Sequence, residues 1–423
     1  MAKKRKPNEY QQQKIAKAQH KNLFLFKMRG IINISCEKCI YEHIPQKYLD
    51  DAYENRNLSV LIIPAEGHNI PKEQFKEMIS LFSISLKEIY IPFTPDDRLM
   101  SLNDFFTVCL SINNLERTIK YGDFLMARVV KDELKKITEN DKLVKTGLAK
   151  LAELLRAVGI QYSDLQKQLY YFNLKVKIIE ENGIHIQHRI LVYCQKPEIA
   201  YVNINKEYRP VIRFGLVEEY SGIKWLSIKP SQLDLKNTFA DLPHDIYIQS
   251  HALIRLKERL DCMEDQFILF TLYQSLKYSP KLCYDKHKHM MLEYRIVDEK
   301  LGYLPIEITD GKIVIKTFLF VTNNVTPEGM MLEKYTGFQK EEEKYLSIDK
   351  LSTFVNSDIG ENIELQKFLR KSGCQSLIDL HQKHKEVLNI ENKTNSLSKM
   401  MELMVKNMDY QNKEMNLEIE KDY

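Results

Sequence analysis

The segment from Gly302 to Thr322 constrains the fold of this chain more than any other stretch. Two runs rich in strand-forming residues, 302–308 and 312–322, are separated by an Asp310-Gly311 pair. An Asp-Gly pair between alternating apolar runs favours a tight turn that joins antiparallel strands. The second run carries apolar residues in both phases, as expected of a central strand that is covered on both faces. With a third run at 290–297, the pattern predicts an antiparallel sheet.

The stretch Ser250–Leu260 precedes this sheet and has helical periodicity. At about 100° per residue, Leu253, Leu256 and Leu260 share one arc. Four polar residues lie across the opposite side: His251, Arg255, Glu258 and Arg259. Ser250 is a candidate N-cap, which would place His251 in the first turn, where the helix dipole favours a neutral imidazole. A second helix is predicted for 263–277.

The polar side of this predicted helix has residue types that suit work on a phosphodiester. An imidazole moves protons near neutral pH, and guanidinium groups hold phosphate oxygens with two hydrogen bonds. An ordinary amphipathic helix with a solvated charged face explains the same pattern. Both interpretations therefore stay open at the level of periodicity.

Composition indicates a globular protein but does not indicate its partner. The chain has 423 residues, 44% of them hydrophobic, and a formal net charge of +4. This small net charge indicates neither a nucleic-acid partner nor a membrane partner. Seven scattered cysteines and the absence of a long apolar run predict a cytoplasmic protein with reduced thiols and no membrane association.

The predicted fold class is α+β with several domains. We expect a basic arm at 1–22, a mixed and mainly helical domain at 23–166, an antiparallel β domain at 167–245, a helix-plus-sheet domain at 246–345, and a helical tail at 346–423. In the β domain, Arg189, Arg209 and Arg213 with Trp225 form either a nucleic-acid face or an ordinary solvated sheet face.

Two further patterns concern binding. Cys36 and Cys39 with His43 resemble half of a zinc site, but no second pair follows at the usual spacing, so no metal and no cofactor are predicted.

The tail has apolar residues spaced by three and four, with many methionines, between 387 and 415. Such a seam favours self-association, capture of a partner helix, or docking on the protein's own helices.

The order of a His251-Ala-x-x-Arg255-x-x-Glu258-Arg259 helix, a second helix and antiparallel strands resembles the RelE-like and colicin-D-like ribonuclease toxins. The resemblance covers about residues 246–340 and implies a barnase-like α+β fold with metal-independent RNA cleavage. It implies that His251 acts as base or acid and that Arg255 and Arg259 hold the phosphate. It also implies that Lys316, Thr317, Arg295 and Thr322 complete the site from the sheet, the last two as nucleic-acid contacts.

The sequence thus predicts an RNA-cleaving enzyme of a toxin or defence system. Two alternatives remain: a non-catalytic module that binds nucleic acid or protein through the same fold, and an assembly protein associated with a phage or mobile element.

Overall fold

The computed structural model describes residues 9–180, 183–204, 206–218, 222–235, 241–278, 280–296, 298–336, 347–357 and 359–387. The described chain divides into two compact units. Unit 1 comprises residues up to Leu155 together with Phe172–Tyr193, and unit 2 comprises Arg156–Tyr171 and the residues from Cys194 onwards. The chain passes from one unit to the other at 155/156, 171/172 and 193/194, and these positions differ from the predicted boundaries at 166/167 and 245/246.

The chain combines helices and strands, which confirms the α+β class. The helices are α1 Glu9–Ser35, α2 Gln46–Glu54, α3 Lys72–Glu88, α4 Leu102–Asp104, α5 Leu110–Thr118, α6 Ala127–Thr138, α7 Asp141–Tyr162, α8 Ser250–Arg259, α9 Asp265–Tyr278, α10 Pro327–Thr336, α11 Leu351–Val355, α12 Ile363–Lys371 and α13 Gln375–Val387. A π-helical turn, Phe105–Cys109, joins α4 to α5.

The strands are β1 Asn57–Pro64, β2 Tyr90–Pro92, β3 Leu99–Ser101, β4 Leu169–Glu180, β5 Ile184–Gln195, β6 Ile199–Ile204, β7 Glu207–Arg213, β8 Gly215–Glu218, β9 Gly222–Trp225, β10 Ser227–Ile228, β11 His244–Ile248, β12 Leu282–Tyr284, β13 Met290–Ile296, β14 Glu299–Thr309, β15 Lys312–Ile315 and β16 Leu319–Phe320.

Unit 1 is built from helices around a small sheet with the order β1-β5-β4. Strands β1 and β5 pair in parallel, with Ile62 opposite Ile190. Both of these side chains are buried, and Phe82 of α3 packs edge-on against Phe172 of β4 at 5.2 Å between ring centroids. The helix-rich character predicted for this region is therefore confirmed, together with a parallel strand pair that the sequence did not reveal.

Unit 2 contains a larger sheet with the order β12-β13-β14-β15-β11-β7-β6. Most neighbours are antiparallel, but β11 and β15 run parallel, with Ile248 opposite Ile315. The prediction of one antiparallel sheet at 167–245 is wrong, because β4 and β5 form a separate sheet with β1, whereas β6 and β7 join β11. Alternation shows which residues share a face but not which strands become neighbours.

The large sheet curls, so that its edge strand β6 also contacts β14. The inner face of the curl is filled by a compact apolar cluster: Val202, Ile204, Val211, Tyr247 and Val314. Helix α9 covers the outer face, where Tyr273 packs near Phe214 and the Thr271 hydroxyl lies 2.5 Å from the Tyr294 hydroxyl. The core of unit 2 thus lies on both sides of the strands that carry the predicted site.

The elements around the predicted site follow the expected order. Helices α8 and α9 precede a meander of β12, β13 and β14, each antiparallel to the next, and β15 continues it. The Asp310-Gly311 turn joins β14 to β15 with φ values of +49° and +69°, as predicted. Residues from 347 to 387 then form α11–α13.

Two predictions at the ends of the chain are tested only in part. The basic arm is helical from Glu9, where α1 begins, and residues 1–8 lie outside the described residues. The predicted methionine-rich seam also lies outside them from Ile390 to Met415. Among the described residues, every helix is too short or too polar to cross a membrane.

Candidate active site

Helix α8 begins where β11 leaves the sheet. Its N-cap is Gln249, whose side chain makes no capping hydrogen bond, so the prediction of a Ser250 cap is wrong. The backbone N–H of Gln249 instead donates to the Ile315 carbonyl at 3.0 Å. This bond extends the parallel pairing by one residue, which fixes the start of α8 beside the end of β15.

The two sides of α8 divide as the periodicity predicts. Ala252, Leu253 and Leu256 are buried, and so is Leu260, which caps the C-terminal end. His251 is exposed and Arg255 is half-buried. The imidazole of His251 has no hydrogen bond or ion pair with any residue that the structure describes. It is therefore accessible to a solute.

Arg255 and Glu258 form an ion pair one turn apart, with 2.6 Å between Nη1 and Oε2. Their side chains remain about 40% and 48% exposed, so the pair sits in water rather than in a pocket. An exposed pair of this kind contributes at most about 1 kcal/mol to stability. Arg255 can therefore leave Glu258 for another anion at little cost in free energy. While the ion pair is formed, Glu258 orients the Arg255 guanidinium.

Arg259 is held by a more buried partner. Its guanidinium forms an ion pair with Asp349, and the two side chains are only 21% and 11% exposed. Burial, together with the nearby charge of Arg255, lowers the pKa of Arg259 from its ordinary value. The charge of Arg259 is thus already neutralised within the fold, so a phosphate would have to compete with Asp349 for its guanidinium.

Lys316 and Thr317 lie in an irregularity of the predicted strand 312–322. Four residue steps separate Ile315 from Leu319, but only three separate their partners, Ile306 and Tyr303. The strand therefore bulges by one residue between β15 and β16, a feature that re-aims side chains. The long unbroken strand was predicted wrongly for this reason.

The bulge brings Lys316 and Thr317 to the edge at which α8 begins, because β11 and β15 are parallel and end together. Lys316 forms an ion pair with Glu307 at 3.3 Å. Glu307 is opposite Val314, so Lys316 points towards the inner face of the curled sheet. Both residues are half-buried.

Arg295 and Thr322 are not brought to this edge. Arg295 lies opposite Lys300 of β14. The Lys316 N–H donates to the Pro305 carbonyl, five positions further along β14. At strand spacing, the two places on β14 are about 17 Å apart. Arg295 contacts Glu293 at 2.8 Å and donates to the Asp298 carbonyl at 2.6 Å.

Thr322 is 1% exposed, and its hydroxyl donates to the Ile348 carbonyl at 2.6 Å. This burial and this backbone partner do not favour the predicted role of Thr322 as a nucleic-acid contact, which stays a prediction.

The arginines of the predicted β domain also have partners. Arg213 binds Glu198 and Asp245, each at 2.9 Å, and its guanidinium lies 5.3 Å from the Trp225 ring. Arg209 binds Glu207. Arg189 lies in the other sheet and donates to Gln187. These residues do not form one free basic face in the described part of unit 2.

The Cys36 and Cys39 pair is divided by burial. Cys36 is buried, and burial raises the pKa of its thiol to about 12, with the Glu133 carboxylate adding to the effect. Cys39 is exposed. Within the described ranges, no cluster of three or more His, Cys, Asp or Glu side chains has the arrangement of a metal site.

Three residues that the sequence reasoning did not assign shape the site: Glu258, Glu307 and Asp349 decide which cations are accessible. Glu258 is visible in the motif and at helical spacing. The ion pair of Asp349 joins residues 90 positions apart, so no local pattern reveals it.

Comparison with protein-family models, with curated proteins and with solved structures gives no match to this chain.

Proposed function

We propose that this protein cleaves RNA without a metal ion at the solvent-facing side of α8. The observation that carries the proposal is the alignment of His251, Arg255 and Glu258, which fall within about 60° of one another on the exposed side of the helix. The order of α8, α9 and an antiparallel meander supports it, because it is the order that the resemblance to ribonuclease toxins implies.

The chemistry assigns one role to each group. A base removes the proton of a ribose 2′-hydroxyl, the oxygen attacks the adjacent phosphorus, and the leaving 5′-oxygen takes up a proton. His251 exchanges one of these protons, since imidazoles do so near neutral pH. Arg255 holds a phosphate oxygen through the terminal nitrogen that Glu258 does not bind. Glu258 is a positioning residue.

Cleavage of unstructured RNA by the purified full chain in excess EDTA tests the proposal. We expect His251→Ala to lower the rate by about 10²- to 10⁴-fold, as for loss of a general acid or base. His287→Ala removes another exposed imidazole of unit 2 and serves as the matched control. Equal rates for wild type and His251→Ala would overturn the assignment.

A binding role without catalysis is the second candidate. It is favoured by the ion pairs of Arg259, Lys316 and Arg295, which leave few free cations to stabilise a transition state. Retention of RNA in a mobility-shift assay, with no cleavage of any RNA tested, would select this candidate.

A further inference from the structure

Unit 1 contains a cavity between α1, β1 and the segment from α4 to the π-helical turn. Its volume is about 460 Å³, within the range of small-molecule sites. Helix α1 supplies one wall with residues from His20 to Lys27, and β1 supplies another from Asn57 to Leu61. All lining residues belong to unit 1. The cavity therefore exists independently of α8 and its chemistry.

Two cations, Lys27 and Arg56, and one carboxylate, Asp104, line the cavity together with the imidazole of His20. Lys27 is bound to Asp104 at 2.6 Å, so these two charges offset each other at one end. Arg56 is then the cation that remains without a carboxylate partner among the described residues.

Arg56 is held in place by uncharged contacts. Its guanidinium lies 4.0 Å from the centre of the Tyr53 ring, and its Nη1 donates to the Tyr53 carbonyl at 2.6 Å. Stacking on an aromatic ring fixes the guanidinium plane but leaves its charge uncompensated. A preorganised, unpaired guanidinium at a cavity wall is suited to binding an anionic group.

His20 lies at the same end of the cavity. Its Nδ1 is 3.1 Å from the Tyr53 hydroxyl, the ring that Arg56 stacks upon. Burial and, to a smaller extent, the charge of Arg56 lower the pKa of His20. When Nδ1 accepts the hydrogen bond of the Tyr53 hydroxyl, the neutral ring carries its proton on Nε2 and can donate it to the anionic group that Arg56 contacts.

The remaining lining is mixed. Its apolar residues are Leu23, Phe24, Leu58, Val60, Leu61 and Val108, and its polar residues are Asn57, Ser59, Asn103, Thr107 and Gln187. Lys27 follows His20 by seven positions along α1, which places the two ends of the cavity about 10 Å apart. The cavity thus has a cationic end at Arg56, sides of mixed polarity and a second charged end at Lys27 and Asp104.

We propose that this cavity binds a small organic anion, with a phosphate or carboxylate head at Arg56 and His20 and an apolar or aromatic body between α1 and β1. Leu23, Phe24 and Val108 offer the body an apolar surface, and small-molecule sites commonly combine such a surface with a few convergent polar groups. The guanidinium supplies orientation, because it offers two parallel donors to a phosphate or carboxylate.

Three probes that share one body separate the contribution of the head group: 1-naphthyl phosphate, 1-naphthoate and the neutral 1-naphthol, titrated into the full chain by calorimetry. We expect at least one anion to bind with one-to-one stoichiometry, and at least about tenfold more tightly than naphthol. The two anions distinguish phosphate from carboxylate. Failure of both to bind at millimolar concentration, or equal affinity for naphthol, would overturn the proposal.

Variants locate the binding. Arg56→Gln should weaken the anion by about tenfold or more without changing naphthol affinity, whereas Arg128→Gln, on the exposed side of α6, should change neither. Ser59→Phe introduces a ring from the exposed Ser59 of β1 into the cavity and should abolish binding of all three probes. Thermal unfolding checks that each variant is folded. Unchanged anion affinity in folded Ser59→Phe would exclude this cavity.

Discussion

At the scale of single residues, the function of a cation depends on the carboxylate beside it. His251 and Arg255 are accessible, whereas Arg259 and Lys316 are tied to Asp349 and Glu307. The sequence predicted the residue types that suit phosphodiester chemistry, and it placed them on the correct side of α8. It did not reveal which of them are neutralised, because the acidic partner of Arg259 lies 90 positions away.

The ion pair of Arg259 and Asp349 should be important for stability. Asp349→Asn leaves a largely buried guanidinium without a counter-charge, and we expect a loss of about 3 kcal/mol in the free energy of unfolding. Denaturant unfolding measures it. The double variant Arg259→Met/Asp349→Leu removes both charges and should regain most of the loss. If the double variant is as unstable as Asp349→Asn, the loss does not arise from an uncompensated charge.

Asp285 provides a test of pH dependence. Burial opposes its ionisation, but hydrogen bonds from the backbone and ring of His289 and the backbone of His287 outweigh it and lower the pKa below the ordinary value of 3.8. Stability from this carboxylate is therefore present above about pH 4 and lost as the pH falls through the lowered pKa.

We expect Asp285→Asn to reduce stability by about 1 kcal/mol at pH 7, and the difference from wild type to shrink below pH 4. Urea unfolding at several pH values measures both. A difference that is constant from pH 7 to pH 3 would show that ionised Asp285 is not the cause.

At the scale of elements, sequence patterns predicted well the turns and helices that depend mainly on neighbouring residues. The Asp310-Gly311 turn, helix α8 and helix α9 were placed within two residues of their observed positions. The errors in strand pairing and strand length arise where residues distant in sequence determine the structure. Alternation could not show that β11 pairs in parallel with β15, nor that the strand bulges at Lys316, because both depend on residues of β14 and β11.

Substitution of two glycines by alanine should change the free energy of unfolding in opposite directions. An added Cβ at Gly302 of β14 would overlap the Leu319 carbonyl and the Phe318 ring, whereas Gly30 of α1 has open space around it. We expect Gly302→Ala to destabilise by about 1–3 kcal/mol and Gly30→Ala to stabilise by up to about 1 kcal/mol. Thermal unfolding of the two variants decides. A neutral Gly302→Ala would contradict the close pairing of β14 with β16.

At the scale of the whole molecule, interactions cross both predicted boundaries of the region that resembles a toxin. Strand β11 pairs with β7 on one side and β15 on the other, and Asp349 of the following segment binds Arg259 of α8. A fragment of residues 246–345 would lose the pairing of β11 with β7 and the ion pair of Asp349 with Arg259.

We therefore expect a fragment of residues 246–345 to be unfolded or aggregated, whereas a longer chain that keeps β6, β7 and α11–α13 stays folded. The reason is that removal of β6 and β7 exposes Tyr247 and Val314 of the inner apolar cluster. Circular dichroism and size-exclusion chromatography measure this. A monomeric, cooperatively unfolding 246–345 fragment would show that the predicted boundaries define a domain.

The interruption of unit 1 by residues 156–171 also has a consequence for folding during synthesis. Strand β1 must wait for β5, since Asn57 is paired with Ile186, 129 residues later. Until β5 leaves the ribosome, the apolar side chains of β1 have no strand partner, and a nascent chain in this state is exposed to aggregation or chaperone binding. Slow translation of the codons between β1 and β5 prolongs this state and should therefore lower the yield of native protein.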